Sequence, residues 1–253
     1  MTMRGDGSGR RRLGRGIDPA YSPDGRLIAF SVCDGVQSDL MIMRSDGTHI
    51  RRVTETARVS ESEPAFSADG RRLLFARDSG GEGYADIYSI GIDGSALRRL
   101  AVHHREASDQ HPEEAADGRF VVFDRDGEVF TMRPNGSRLK RLVRGWDPAV
   151  SPESRRVVYT FRGQLHLIGA GGGGGRQLTH LRNTRNARAA ALSATFSPNG
   201  RWVVFALERS VDYGPGFADS QRLMEVSTAT GRTTALTKTS VGGFNPDWQP
   251  LSR

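Results

Sequence analysis

The sequence contains one cysteine, Cys33, among its 253 residues. A single cysteine cannot form an intrachain disulfide, and we predict that Cys33, just after the apolar stretch Leu27 to Phe30, is a small buried or half-buried side chain. No apolar run approaches the ~18 residues that a membrane span needs. The basic N-terminus is followed by no apolar segment typical of a secretory signal, so we expect a cytoplasmic protein, or a periplasmic or secreted one if the N-terminus is truncated.

Several motifs of known chemistry are also missing. There is no Gly-x-Ser-x-Gly, no Cys-x-x-Cys, no His-Glu-x-x-His and no Walker loop, so hydrolases of the α/β type, dithiol sites, zincins and P-loop enzymes are not indicated. Six histidines are present, and His103-His104 lie close to His111 in the sequence. This spacing suits either a metal site or a solvated polar loop.

A repeated stretch dominates what is present. Residues 19–30 read PAYSPDGRLIAF, and related stretches begin at positions 64, 112, 148 and 194, with a half copy at 246–250. Each copy has two apolar segments around an Asp-Gly, Asn-Gly or similar turn, because Asn and Asp tolerate the left-handed region and Gly accepts positive φ freely. Hairpins that recur every 36 to 52 residues are typical of propeller blades.

We therefore predict an all-β fold, a six-bladed β-propeller of four-stranded antiparallel blades in one domain, 1–253. Five intact blades are expected at 19–54, 64–100, 112–142, 148–178 and 194–237. A composite sixth blade would combine residues 1–13 with 244–250, because 1–18 resembles 131–147, the outer half of a blade. Pairing between the N- and C-terminal strands would then close the ring.

The chain is basic, with 36 Lys and Arg against 29 Asp and Glu, a formal net charge of +7 and a pI near 10.2. The basic residues recur near the end of each repeat, which places them on the outer fourth strand of each blade. They form the sequences Arg10-Arg11-Arg12, Arg51-Arg52, Arg98-Arg99, Lys140-Arg141 and Arg176-Gln177. Charge on exposed edge strands prevents sheet-to-sheet association. No aromatic residues alternate with these charges, so binding to nucleic acid is not favoured.

The position before each repeat is polar throughout. It is occupied by Asp18, Glu63, His111, Asp147, Ser193 and Asn245. Since the innermost strands of a propeller line its channel, we expect these side chains to form a ring at one channel mouth. Asp18, Glu63, His111 and Asp147 are the candidate ligands for a divalent cation. Alternatively, each side chain caps its own turn or bonds a neighbouring blade.

Glu114 is an exception at a second repeat position, which is apolar in the other repeats. Other repeats have Tyr21, Phe66, Val150, Phe196 and Trp248 there, which we expect to pack between blades. A buried carboxylate is costly unless it is paired or protonated. Either the strand is remodelled or Glu114 faces the channel beside His111, so Glu114 joins the candidate binding residues.

The motifs Tyr-Ser-Pro-Asp-Gly-Arg, Ile-Ala-Phe, Asp-Ile-Tyr and Asp-Gly-Ser followed by Arg-Arg-Leu resemble the TolB-type propeller family, whose blades are similar to WD repeats. The resemblance covers the propeller only and includes no N-terminal TolB domain. It implies a bacterial protein-binding platform, which in TolB binds a peptidoglycan-associated lipoprotein and Tol partners. Related blades also gate prolyl-oligopeptidase-type hydrolases, whose catalytic domain the sequence lacks.

The sequence thus favours a non-catalytic, monomeric scaffold that binds a protein or peptide partner on one face of the disc, with no catalytic residues and no required cofactor. The alternative is a channel-mouth site for a metal or small ligand, with the activity of a metal-dependent propeller hydrolase or lyase.

Overall fold

The computed structural model describes residues 1–35, 37–78, 84–101, 107–184, 187–212, 217–238 and 245–250. For residues 187, 211, 212 and 217–220 it describes the backbone only. These residues form twenty strands and no helix. No helix in this part of the chain is long and apolar enough to cross a membrane.

The strands form five four-stranded antiparallel sheets, and each intact repeat supplies one blade. Blade one contains β1 (Ile17–Tyr21), β2 (Leu27–Cys33), β3 (Ser38–Arg44) and β4 (Arg51–Arg52). Blade two contains β5 (Ser60–Phe66), β6 (Arg72–Asp78), β7 (Ala85–Gly91) and β8 (Arg98–Arg99). Blade three contains β9 (Asp109–Glu114), β10 (Val121–Arg125), β11 (Glu128–Met132) and β12 (Lys140–Arg144).

Blade four contains β13 (Trp146–Val150), β14 (Arg156–Phe161), β15 (Gln164–Gly169) and β16 (Arg176–Gln177). Blade five contains β17 (Ala187–Phe196), β18 (Trp202–Asp212), β19 (Phe217–Ser227) and β20 (Thr233–Ala235). Its first three strands are longer than those of the other blades. The first strands contact one another in order, β1 with β5, β5 with β9, β9 with β13 and β13 with β17, so they surround the central axis.

The prediction of six blades is wrong, because the strands of the described residues form five blades of four strands each. Within the described residues, 1–16 contribute only the isolated bridge Thr2–Arg11, and 245–250 contribute no strand. The described residues offer no second strand for this position, and a first strand without its neighbour has no ladder partner. Side chains make the connection instead, since Asn245 bonds to Asp18 in blade one and to Ser193 in blade five. The predicted closure by strand pairing is therefore also wrong.

The turns between first and second strands explain why the repeats fold alike. In blade one the Ser22 hydroxyl donates to Asp24 (2.6 Å), the N–H of Arg26 donates to the same carboxylate (3.1 Å), and Gly25 has a φ of 68°. Blades two and five repeat this arrangement with Asp69 and Asn199. These turns all lie at one face of the disc, and the first strands begin at the opposite face.

The core lies between blades. One cluster joins Ala29, Leu40 and Ile42 of blade one to Phe66 and Phe75 of blade two, and similar clusters join the blades that follow. The second strands of all five blades bury an aromatic residue at the same position: Phe30, Phe75, Phe123, Tyr159 and Phe205. Burying such side chains contributes about 1.5–3 kcal/mol each.

Cys33 differs from its prediction, because its side chain is exposed. It is the last residue of β2, and its Sγ accepts a hydrogen bond from the N–H of Gly35 (3.4 Å). No neighbouring blade of the described chain covers Cys33 at the end of its strand. The apolar residues that precede Cys33 in the sequence do not predict this exposure.

Candidate functional site

The polar position before each repeat has an unusual backbone. Asp18, Glu63, His111, Asp147 and Ser193 all have φ between 50° and 55°. In every blade the register between the first and second strands shifts at this residue, which marks a β-bulge. Non-glycine residues in the left-handed region cost about 1–3 kcal/mol, and bulges re-aim side chains near functional sites. The bulge therefore directs five equivalent side chains toward the central axis.

These side chains bond from blade to blade. The carboxylate of Glu63 accepts a hydrogen bond from the backbone N–H of His111 (2.7 Å), the equivalent residue of the next blade. Asp147 accepts one from the N–H of Ser193, and Asp18 accepts one from the N–H of Glu63. Each carboxylate thus satisfies a backbone donor that the bulge removes from the strand ladder.

In blade three, two residues take the place of the single carboxylate that accepts a hydrogen bond from the next blade. His111 supplies an imidazole instead of a carboxylate, and Asp124 on β10 accepts hydrogen bonds from His111 Nδ1 (2.8 Å) and from the N–H of Asp147 (3.0 Å). His111 Nε2 lies 3.3 Å from Glu63 Oε1. Asp124 was not predicted from the sequence, although it follows the buried aromatic of β10 where other blades have Ser31, Ala76, Thr160 and Ala206.

Asn245 completes a closed circuit. Its amide donates to Asp18, and its Oδ1 accepts a hydrogen bond from the Ser193 hydroxyl (2.9 Å). We call the resulting set the mouth ring. It contains Asp18, Glu63, His111, Asp124, Asp147, Ser193 and Asn245. The hydrogen bonds run through all five blades, so the ring fixes their relative positions at this face.

Charge in the mouth ring is concentrated and only partly compensated. Burial raises the pKa of Asp18, Glu63 and Asp147 above the usual carboxyl range. Burial acts to lower the pKa of His111, but the hydrogen bond to Asp124 and the charges of Glu63 and Asp147 outweigh it and raise the pKa to about 10. A third of the His111 side chain (34%) remains exposed. The ring therefore holds one imidazolium among four carboxyl groups.

A second layer of carboxyl groups lies two residues after ring positions: Glu113 follows His111 on β9, and Asp247 follows Asn245. Glu113 accepts a hydrogen bond from the N–H of Val150, and Asp247 accepts one from the N–H of Tyr21 (2.6 Å). Burial and the charge of Asp247 raise the pKa of Glu113 to about 8, and burial raises that of Asp247 to about 6. Sequence reasoning missed both residues, although the equivalent residues Ala20, Ala65 and Ala149 make them exceptional.

The other candidates lie elsewhere. Glu114 is outside the mouth ring, in the space between blades two and three, where it accepts a hydrogen bond from the N–H of Ala68. The pair His103-His104 falls outside the described residues. Within the described ranges, no three His, Cys, Asp or Glu side chains are arranged to hold a metal ion. The binding roles of Asp18, Glu63, His111, Glu114, Asp147 and Asn245 stay predictions.

Gly145 lies two residues before Asp147, and its missing side chain allows the backbone to pack closely against Tyr159. A Cβ at this position would lie 2.4 Å from Tyr159 Cδ2 and 2.8 Å from the Thr160 carbonyl oxygen, and the φ is 150°. We expect Gly145→Ala to lower the free energy of unfolding by about 1–3 kcal/mol, measured by urea unfolding. Gly171→Ala is the control, because its Cβ would meet nothing within 4 Å. Equal stability of the two variants would contradict this assignment.

Comparison with other proteins identifies related sequences. The chain is 30% identical over 155 residues to an uncharacterized protein of Agrobacterium fabrum, covering 56% of this chain and 50% of that protein. It is 28% identical over 193 residues to the uncharacterized peptidase YuxL of Bacillus subtilis (76% and 22%). It is 24% identical over 151 residues to the Tol-Pal system protein TolB of Francisella tularensis (56% and 34%). The chain thus spans half or less of these relatives.

Solved structures share the fold. TolB from Acinetobacter baumannii has a TM-score of 0.60 at 19% identity, covering 86% of this chain and 55% of that one. A puromycin-hydrolyzing peptidase of Mycobacterium tuberculosis has a TM-score of 0.61 at 16% identity (88% and 38%). An oligogalacturonate lyase in complex with manganese has a TM-score of 0.59 at 11% identity (87% and 64%). At these identities the likeness concerns the fold alone.

A match to the sequence pattern of a protein family shows which family the chain belongs to. The TolB beta propeller domain matches residues 10–185, more than half of the chain. This match covers all of the first four blades and confirms the resemblance in the repeats. The chain belongs to the TolB beta propeller domain family.

Proposed function

We propose that this propeller binds a protein or peptide partner at its channel mouth, where a cationic group of the partner, a lysine or arginine side chain or a free amino terminus, lies over the mouth ring. The observation that carries this proposal is the closed ring of four carboxyl groups around one imidazole. Membership of the TolB family supports a protein as the partner.

The electrostatics favour a cation at this position. The raised pKa values of Asp18, Glu63 and Asp147 mean that their negative charges are held at a cost. A positive group from a partner relieves that cost. The chain as a whole carries a formal charge of +7, so the acidic mouth is opposite in sign to the net charge of the protein.

The ring is preorganised for such contact. Its side chains are held by hydrogen bonds on the innermost strands, so little side-chain entropy is lost when a partner docks. Asn245 and part of His111 are exposed, which leaves the ring accessible.

The test is affinity capture from a lysate of the source organism, followed by binding titration of the captured partner. Asp18→Asn with Asp147→Asn is expected to weaken binding at least tenfold, because two carboxylates of the ring are lost. The matched control is Asp24→Asn with Asp93→Asn, which removes two exposed charges from surface turns. Binding is expected to tighten as the pH rises above the ordinary carboxyl range, because burial raises the pKa of Asp18, Glu63 and Asp147 and their protons leave only at higher pH. Equal binding by both double variants would contradict the proposal.

The alternative of a metal-dependent hydrolase or lyase stays a prediction that metal analysis can test. A stoichiometric bound ion and a melting temperature that falls with chelator would favour it. The proposed partner binding should be unchanged by chelator.

A further inference from the structure

A groove separates blades two and three on the face opposite the mouth ring. It has a volume of about 470 Å³ and is lined by Leu74, Glu114 and Pro134 among others. A neighbouring hollow of about 370 Å³ adds Leu97 and Leu100, and the two share Arg72, Ser89 and Pro134. The groove and its neighbouring hollow therefore combine apolar walls with charged side chains of both signs: Arg72 and Arg98, and Asp69, Glu114 and Asp117.

The same molecule contains a filled version of this groove. Between blades four and five, the guanidinium of Arg156 lies 5.9 Å from the centre of the Phe196 ring. Arg72 is the residue of β6 that corresponds to Arg156 of β14, and Glu114 of β9 corresponds to Phe196 of β17. The groove thus occupies the position at which blade five places an aromatic ring against an arginine.

Arg72 and Glu114 are held in place in the groove without pairing with each other. Arg72 donates from Nε to the Ser89 hydroxyl (2.6 Å) and from Nη2 to the carbonyl of Ala96 (3.1 Å). Glu114 accepts a hydrogen bond from the N–H of Ala68, and its Oε1 lies 3.6 Å from the position of a Cβ on Gly118. Arg72 and Glu114 form no ion pair in the described chain. A guanidinium face and a carboxylate acceptor are therefore both presented to the groove.

We propose that this groove is a binding site for a tyrosine side chain of a partner peptide. The ring would stack on Arg72 as Phe196 does on Arg156, which is a favourable cation–π contact. The phenol hydroxyl would donate to the Glu114 carboxylate, a charge-assisted hydrogen bond that phenylalanine cannot form. Leu74, Leu97 and Pro134 supply the apolar walls. This second site goes beyond the proposed cationic contact and lies on the other face.

The probe for this site is p-cresol, a small-molecule analogue of the tyrosine side chain. Its binding to the full chain is measured by NMR. We expect saturable shifts of the Arg72 Nε–H and the Ala68 N–H with a dissociation constant of about 1 mM, typical of a fragment of this size. Toluene, which lacks the hydroxyl, is expected to bind at least fivefold more weakly. An acetylated and amidated Gly-Tyr-Gly peptide should bind at least as tightly as p-cresol.

Glu114→Phe is the decisive variant, because it fills the groove as Phe196 fills its counterpart. We expect it to raise the melting temperature and to abolish the p-cresol shifts. Glu114→Gln keeps the shape and should weaken p-cresol by about threefold or more while leaving toluene unchanged. Binding of p-cresol that persists in Glu114→Phe, or no saturable shift at 20 mM p-cresol, would overturn the proposal. Neither result bears on capture by the mouth ring, which uses different residues.

Discussion

A chain that ends at Lys238 is expected to lose its cooperative thermal transition. The truncation removes Asn245, Asp247 and Gln249, whose side chains bond to Asp18, Ser193, the N–H of Tyr21 and the carbonyl of Gly25. Each such bond contributes about 1 kcal/mol, and the loss of the Trp248 side chain, which lies 3.5 Å from the position of a Cβ on Gly5, costs about 3 kcal/mol.

The total is comparable with the ~5–15 kcal/mol that stabilises a domain. Differential scanning calorimetry is the measurement. A chain that ends at Pro250 is the matched control and should melt like the full chain, because it keeps every contact of 245–250. If the chain ending at Lys238 melted cooperatively within a few degrees of this control, the segment would not hold blades one and five together.

The melting temperature is expected to fall as the pH rises from 5 to 9. Glu113 has a folded pKa of about 8 against an ordinary 4.5, and Asp247 has about 6 against 3.8. Both raised carboxyl pKa values mean that the native state retains protons that the unfolded chain has released, so stability declines above the unfolded pKa until the folded pKa is reached. The raised pKa of His111, about 10, acts in the same direction, since its contribution is complete below 6.5 and is lost as the pH approaches 10.

One proton retained by the native state changes stability by about 1.4 kcal/mol per pH unit, and screening by water reduces this for groups that are partly exposed. We expect Glu113→Gln to flatten the decline between pH 5 and pH 8, measured by calorimetry at constant ionic strength. Glu55→Gln is the control, because the Glu55 side chain is exposed (82%) and lies outside the first strands. A melting temperature that rises with pH in the wild type would contradict the assignment of protonated carboxyl groups.

The repeats could be predicted from the sequence because interactions between neighbouring residues determine their turns. Ser22, Asp24 and Gly25 form a turn with bonds among themselves, so their pattern predicts that turn wherever it recurs. The basic pairs were placed correctly on β4, β8, β12 and β16 for a similar reason, since their spacing from the turns is fixed. Their ion pairs, Arg52 with Asp39 and Arg99 with Asp86, join the fourth strand to the third and were not predicted.

The number of blades could not be predicted in the same way. Residues 1–13 resemble part of a blade, but a blade requires four strands that pair, and only Thr2 and Arg11 form a bridge among the described residues there. Similarity of sequence between two segments does not reveal whether a third segment is present to pair with them.

By itself, the sequence determined the blades and the column of polar residues at the channel mouth, because period, turn chemistry and alternation are properties of neighbours along the chain. Only the tertiary structure decided how those residues bond. Asp124 and Asn245 join the ring from 13 or more residues away from their partners, and the charge of Asp247 raises the pKa of Glu113, which is far from it in the sequence. Glu114 is separated from His111 by two residues yet faces a different environment, because successive side chains of a strand point in opposite directions and only packed blades define what lies on each side.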